Sequence, residues 1–190
     1  MRLSNKNLAL VVACAIGGMT AAHAQSTVDQ LEPLVETSAH RIALAKQVAL
    51  SKWDSGTAVE DAPREAQVIQ GAINGGEAKG LDQVSVSNFF KAQIEANKLM
   101  QYSLLADWHR LGKAPDHARV NLASTIRPEL DQIQTTLITE LAATAAIRAN
   151  ASCHTDVAKA VGLYVSRHKN DFSPLEAIAL DRAAAATCIP

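Results

Sequence analysis

Aromatic residues are scarce in this 190-residue chain: two Trp, two Tyr and three Phe, 4% in all. β-Branched residues do not gather into alternating runs, so no strand pattern exists and the all-β and α/β classes are excluded. Neither sign of charge dominates. Eighteen basic and 19 acidic side chains leave a formal charge of −1, which gives no general attraction for nucleic acid. There is no His-Glu-x-x-His, no Gly-x-Ser-x-Gly and no phosphate-cradling glycine loop, so the residues of zinc proteases, serine hydrolases and nucleotide binders are missing. No internal repeat or low-complexity linker divides the chain, and its length suits one domain. Beyond residue 24 every apolar run is interrupted by charge, so no membrane association is expected there.

What is present begins with a distinctive leader. Arg2 and Lys6 precede an uncharged apolar run from Leu8 to Met19, and Ala22-His23-Ala24 offers small residues at the two positions a signal peptidase reads. This reads as a secretory signal peptide, too short to span a membrane. Cleavage is expected after Ala24, leaving residues 25–190 as the mature domain. Val11-Val12-Ala13-Cys14 is a rival, lipoprotein-like cleavage site. Removal of the leader takes two of the 18 basic residues and none of the 19 acidic ones, leaving 16 against 19, a net of −3.

Export governs the reading of the cysteines. Cys14 leaves with the signal, and Cys153 and Cys188 remain as an even pair in an oxidising compartment. A disulfide is the expectation. It closes a loop of about 36 residues, worth about 3–4 kcal/mol in the chain-entropy model. The rival is a metal site, for which two thiols and His154 make a poor ligand set. The five mature histidines are scattered and read as surface residues.

Ala- and Leu-rich helical periodicity fills the mature chain, and six helices are expected. The first runs from about Thr27 to Lys52, with Leu31, Leu34, Val35, Ile42, Ala45, Val48 and Ala49 recurring at threes and fours. Trp53-Asp54-Ser55-Gly56 ends it. Asp61 caps the second, Pro63 sits in its first turn, and Gly75-Gly76 marks the region of its end. Ser85 or Ser87 caps a long third helix to about Leu111, whose buried stripe holds Phe90, Ile94, Leu104, Leu105 and Trp108. After a loop from Gly112 to Ala123, the fourth helix spans about Thr125 to Asn150, with Arg127 and Pro128 in its first turn. The fifth spans Cys153 to Lys169. Ser173-Pro174-Leu175-Glu176 is a capping box that starts the sixth. The expected disulfide therefore clips the last helical hairpin, and the fold class is all-α, a single-domain bundle.

The polar residues of the first half carry the functional signal. Arg41 and Lys52 are eleven apart, which on a helix returns almost to the same face about 16 Å along the axis. Asp61, Arg64 and Glu65 follow at the start of the next helix. Asn97 and Gln101, one turn apart, lie on or beside a buried stripe, where unpaired amides cost about 1–3 kcal/mol each. They either bond to neighbouring helices or face a pocket. Two cations on one face suit a small dianion held inside a bundle.

The set Arg41, Lys52, Asp61, Arg64-Glu65, with Asn97 and Gln101, resembles the signature of the all-helical chorismate mutases. The signal peptide, the mature length, Tyr102-Ser103, Asp107-Trp108 and the late cysteine pair are similar to the secreted gamma subclass, so the resemblance covers essentially the whole mature chain. It implies conversion of the dicarboxylate chorismate to prephenate in one pericyclic step, without a cofactor or metal. An enzyme can help by holding the reactive conformer and by stabilising negative charge on the ether oxygen as its C–O bond breaks. By this resemblance Arg41 and Arg127 bind the two carboxylates, as planar guanidinium forks can. Lys52 and Gln101 donate to the ether oxygen, Glu65 accepts from the ring hydroxyl, and Asn97 supports a carboxylate. Arg64 and Asp61 complete the rim, through substrate contact or as an orienting ion pair.

Two departures from the family pattern stand out. Some secreted members carry an amide one turn after the arginine matched by Arg64. Here that residue is Val68, and Gln67 and Gln70 point elsewhere on the helix. Some members carry Glu where this chain has Gln101, and that acid must be protonated to donate. A neutral amide removes the requirement. Two other functions remain open: an isochorismate-pyruvate lyase on the same scaffold, and a non-catalytic helical binding protein. The subclass also implies that a homodimer can form without being needed to complete the pocket.

Overall fold

The computed structural model describes residues 26–189. The expected signal segment, its cleavage site and Cys14 lie outside the described residues. Within them every regular element is helical and there is no strand, as expected from the periodicity. There are eight α-helices: α1 (Thr27–Ala43), α2 (Ala45–Ser55), α3 (Ala62–Glu77), α4 (Gln83–Leu111), α5 (Arg127–Ala143), α6 (Ala145–Arg148), α7 (Cys153–Arg167) and α8 (Pro174–Ala184). A single π-turn, Leu122–Ile126, leads into α5. The six expected helices are recognisable as six rods. The first is divided at Leu44 into α1 and α2, and the fourth at Thr144 into α5 and α6.

The division at Leu44 is slight. Leu44 keeps right-handed helical angles, its N–H bonds to His40 O, and Val48 N–H bonds to Leu44 O. Arg41 and Lys52 thus stay on one face, as the eleven-residue spacing requires. At Thr144 the hydroxyl donates back to Glu140 O at 2.7 Å, a side-chain bond that competes with the helical ladder.

The sequence signals at helix starts are largely those observed. Ser173 and Glu176 form a reciprocal capping box, and the Asp61 carboxylate accepts from Arg64 N–H at 3.2 Å. Two expectations need correction. Asp82, rather than Ser85 or Ser87, caps α4 by accepting from Ser85 N–H at 2.8 Å. Ser85 lies within the helix, buried, where its hydroxyl accepts from Arg148. Gly75 and Gly76 do not end α3. A Cβ at Gly75 would lie 2.9 Å from Ile138 Cδ1, and one at Gly76 would lie 2.8 Å from Val86 Cγ2. The pair therefore sits where α5 and α4 come closest to α3, and the chain turns only after Glu77, with Gly80 at φ +74°.

The main core joins α1, α4, α5, α7 and α8 around Leu31, Ile42, Phe89, Phe90, Leu137, Leu141 and Leu180. Each large side chain buried there contributes about 1.5–3 kcal/mol. A second cluster, Ala49, Leu50 and Trp108 with Trp53 against them, fastens α2 to the far end of α4. The expected disulfide is present between Cys153 and Cys188. Beside it Arg148, buried with no carboxylate partner among the described residues, donates to Thr187 O, Leu141 O and Ser85 Oγ. The C-terminal hairpin is thus tied twice, once covalently.

Pairwise contacts give the directions of the four helices that matter for the site. Ser38 meets Gln93 and Arg41 meets Asn97, so α1 and α4 run parallel. Glu65 meets Lys98 while Gly76 faces Val86, so α3 runs against α4. Arg64 meets Asp131 and Gly71 faces Gln134, so α3 and α5 run together. The polar residues of all four are brought to one cavity between them.

Candidate active site

The cavity encloses about 700 Å³ of empty space, open mouth included, and is lined by α1, α2, α3, α4, α5 and the π-turn. All eight polar residues expected to form a site line it: Arg41, Lys52, Asp61, Arg64, Glu65, Asn97, Gln101 and Arg127. Three further polar residues, unpredicted from sequence, share it: Lys98, Asp131 and Gln134. Five cations and three carboxylates line the wall, a formal surplus of two positive charges. The rest of the lining is apolar: Val48, Val59, Val68, Ile94, Leu122 and Leu130. Such a wall lowers the local dielectric and strengthens every charge interaction within it.

Arg41 is the most telling residue. It is 5% exposed, makes no hydrogen bond or ion pair through its guanidinium with any described residue, and keeps its Nε buried without a partner. Burial lowers its pKa to about 10; the nearby Asp131 carboxylate works against that shift and Arg64 adds to it. An uncompensated buried charge is costly. A bidentate anion seated in the cavity would offset that cost.

Lys52 is 8% exposed and donates to Val59 O at 2.5 Å. That bond ties the loop between α2 and α3 over the cavity. An ammonium has three protons, so two remain for a ligand. Burial pulls its pKa below the ordinary lysine range, while Asp61, Glu65 and Glu60 work against the shift.

The two amides of α4 are both buried and form a chain. Asn97 Nδ2 donates to Arg41 O at 3.0 Å, and Gln101 Nε2 donates to Asn97 Oδ1 at 2.7 Å. Both sequence readings of this pair hold in part: they bond to a neighbouring helix and they also line the cavity. Gln101 Oε1 has no partner among the described residues.

The charged rim is paired. Arg64 donates to Asp131 at 2.9 Å, and Arg127 lies 3.6 Å from the Asp61 carboxylate that caps α3. Lys98 holds three carboxylates: Glu95 at 2.8 Å, Glu60 at 3.0 Å and Glu65 at 3.4 Å. Burial disfavours the Lys98 charge, yet hydrogen bonds to Glu95 and Glu60 keep its ammonium above the usual lysine range. Tyr102 OH also donates to Glu60, at 3.0 Å. Sequence does not single out Lys98, because Glu95 three residues before it makes an ordinary helical pair and its other partners, Glu65 and Glu60, lie on α3 and the loop before it. Its one clue was adjacency to Asn97, which a solvated lysine shares.

The histidines are not uniformly superficial. Four are exposed, but His117 is half-buried in the loop that precedes the π-turn. Its Nδ1 faces Pro115 O at 2.8 Å and its Nε2 faces Asp54 Oδ2 at 3.1 Å. Two acceptors favour the imidazolium, and these bonds, to Pro115 first and Asp54 second, raise its pKa. The loop that leads to Arg127 is pinned to α2 by this contact.

Comparison with known proteins gives the family. Residues 32–102 match the family model for chorismate mutase type II. A secreted chorismate mutase of Mycolicibacterium smegmatis is 29% identical over 182 residues, covering 95% of this chain and 99% of that protein. A solved chorismate mutase structure from Burkholderia phymatum superposes with a TM-score of 0.82 at 43% identity, covering 87% of this chain and all of the other. One from Burkholderia thailandensis gives 0.78 at 31% identity, covering 84% and 99%. A homologue at 43% identity, spanned from end to end, shows the family: this chain belongs to the type II chorismate mutases.

Proposed function

We propose that this chain converts chorismate to prephenate, and that the residues assembled in the cavity do so without proton transfer or a covalent intermediate. The observation that carries the reading is Arg41: a buried guanidinium with no ion pair or hydrogen bond to any described residue, in a wall whose formal charge is that of a dianion's complement. A dicarboxylate bound there would satisfy both.

In this reading Arg41 takes one carboxylate and Arg127, at the head of α5, takes the other. Arg127 is reachable because its pairing with Asp61 is long, at 3.6 Å. Fixing both ends selects the compact conformer in which the bond-forming carbons meet. Lys52 and Gln101 approach the ether oxygen from two helices. As the C–O bond breaks, negative charge develops on that oxygen, and two preorganised donors in a low-dielectric site stabilise it. Glu65, held by Lys98, accepts from the ring hydroxyl. Asn97 sets the orientation of Gln101 rather than reaching outward. Arg64 and Asp61, both engaged in ion pairs, position Asp131 and Arg127.

Every residue named comes from one chain, which supports a pocket complete in a single copy; a homodimer would not be needed for activity. The relatives named as secreted support export of this chain through its N-terminal leader. No helix among the described residues is long and apolar enough to cross a membrane.

The test is direct. Protein lacking residues 1–24, with its disulfide intact, is mixed with chorismate and the product identified by NMR. Prephenate formed at enzymatic rates, and lost in Lys52→Ala, supports the reading. Unchanged chorismate overturns it.

A further inference from the structure

The α5 wall of the cavity contains a polar group that none of the roles above uses. Gln134 lies on α5, seven residues after Arg127 and three after Asp131, so the three share one helix face. It is half-buried and lines the cavity, and its side chain makes no hydrogen bond with any described residue. Opposite it, α3 presents Arg64, Val68 and Gly71, again one face at steps of four and three. Gly71 is what admits the amide: a Cβ there would lie 3.2 Å from Gln134 Nε2. Val68, a turn earlier, closes the same wall without a hydrogen-bonding group.

We propose that Gln134 is a substrate-binding residue, whose Nε2 donates to the carboxylate held at the Arg41–Arg64 end of the cavity. The amide that α3 lacks at Val68 is supplied from α5 instead, through the gap left by Gly71. The geometry favours this over a packing role. Gln134 is half-buried, bonds to no described neighbour and lines a pocket with a surplus of positive charge, so its amide is free to meet an anionic ligand there. Asp131, one turn away, is already taken by Arg64 at 2.9 Å. A neutral donor beside that pair adds attraction for a carboxylate without adding a competing acceptor charge.

This inference rests on the chorismate reading, and steady-state kinetics with chorismate test both. In Gln134→Leu the KM rises about tenfold, as for one lost hydrogen bond to a charged group, while kcat stays within about twofold because the bond is made equally in ground and transition states. Gln134→Glu, similar in size but anionic, raises KM further through repulsion of the dianion. Val68→Gln in the Gln134→Leu background restores much of the loss. Thermal midpoints are compared for all variants, and Gln134→Asn, which keeps the amide but shortens its reach, takes the place of the Leu variant if that one misfolds. A KM unchanged in Gln134→Leu, equal Leu and Glu variants, or no recovery with Val68→Gln overturns the assignment while leaving the mutase reading intact. Wild-type protein that leaves chorismate unchanged overturns both.

Discussion

Asn97 accepts from Gln101 Nε2 through its side-chain oxygen because its own amide nitrogen is committed to the carbonyl of Arg41. The backbone of α1 therefore decides which way a side chain on α4 faces. With Asn97 Nδ2 fixed on Arg41 O, only Oδ1 is left for Gln101, which must present nitrogen to it. One hydrogen of that NH₂ group is used and the second is free for the ether oxygen. Asn97→Ala releases this constraint, so Gln101 can turn its oxygen inward. The expected result is a kcat reduced about tenfold or more, the size of one misdirected donor, with a smaller change in KM. Single-turnover rates check it.

Removing Lys52 should cost most. Lys52→Ala deletes a donor to developing charge, for which losses of about 10²–10³ in kcat are typical. The same substitution frees Val59 O and loosens the loop over the cavity, so KM should rise as well. Lys52→Arg keeps the charge and separates these effects: it should recover part of KM and little of kcat, because a planar fork cannot place one proton where the ammonium did.

The pH dependence follows from which groups titrate. None of the groups that face the substrate is expected to change charge between about pH 5 and 8 by ordinary pKa values, so kcat/KM should be nearly flat there. Lys52 must be charged to act, and burial lowers its pKa. The sign is therefore an alkaline loss of activity that begins below the range of an ordinary lysine, about 10.4. Gln101→Glu should add an acidic preference, since a carboxyl must be protonated to donate. A steep fall between pH 5 and 8 in the unmodified protein would contradict the assignment of Gln101.

Reduction of the disulfide should separate stability from chemistry. Cys153 and Cys188 close a long loop, and Cys153→Ser with Cys188→Ser should lower unfolding free energy by about 3–4 kcal/mol. Arg148 still holds Thr187 and Leu141, so the hairpin should stay docked in the folded state. Neither cysteine lines the cavity, and kcat of the folded fraction should be unchanged. Urea unfolding and kinetics on the same preparation decide this.

The residues legible in sequence are those whose meaning is local or periodic. Asp61 and Ser173 announce helix starts because a cap is a contact across three residues. The core stripe of α1 and α2 is visible because burial repeats with the helix. Arg41 and Lys52 could be placed on one face because eleven residues nearly complete three turns. The cysteine pair needed only an even count and an oxidising destination. Sequence offers Ser85 or Ser87 as the cap of α4, but Asp82 caps it, and the Ser85 hydroxyl is engaged instead by Arg148, 63 residues away.

What tertiary structure alone decided is partnership. Lys98 is one lysine among several until α3 and the loop before it bring Glu65 and Glu60 to its ammonium. Arg64 is engaged because α5 runs beside α3 and presents Asp131, 67 residues later in the chain. Gly75 and Gly76 looked like a helix end and proved to be points of close helix approach. Sequence by itself determined the helices and most of their buried faces, because these follow from propensity and periodicity along one segment, and the family resemblance marked eight of the polar residues that line the cavity, leaving Lys98, Asp131 and Gln134 to the fold. Which of those charges are neutralised by the protein, and which are left for a ligand, depends on distances between segments, and only the packed bundle sets those.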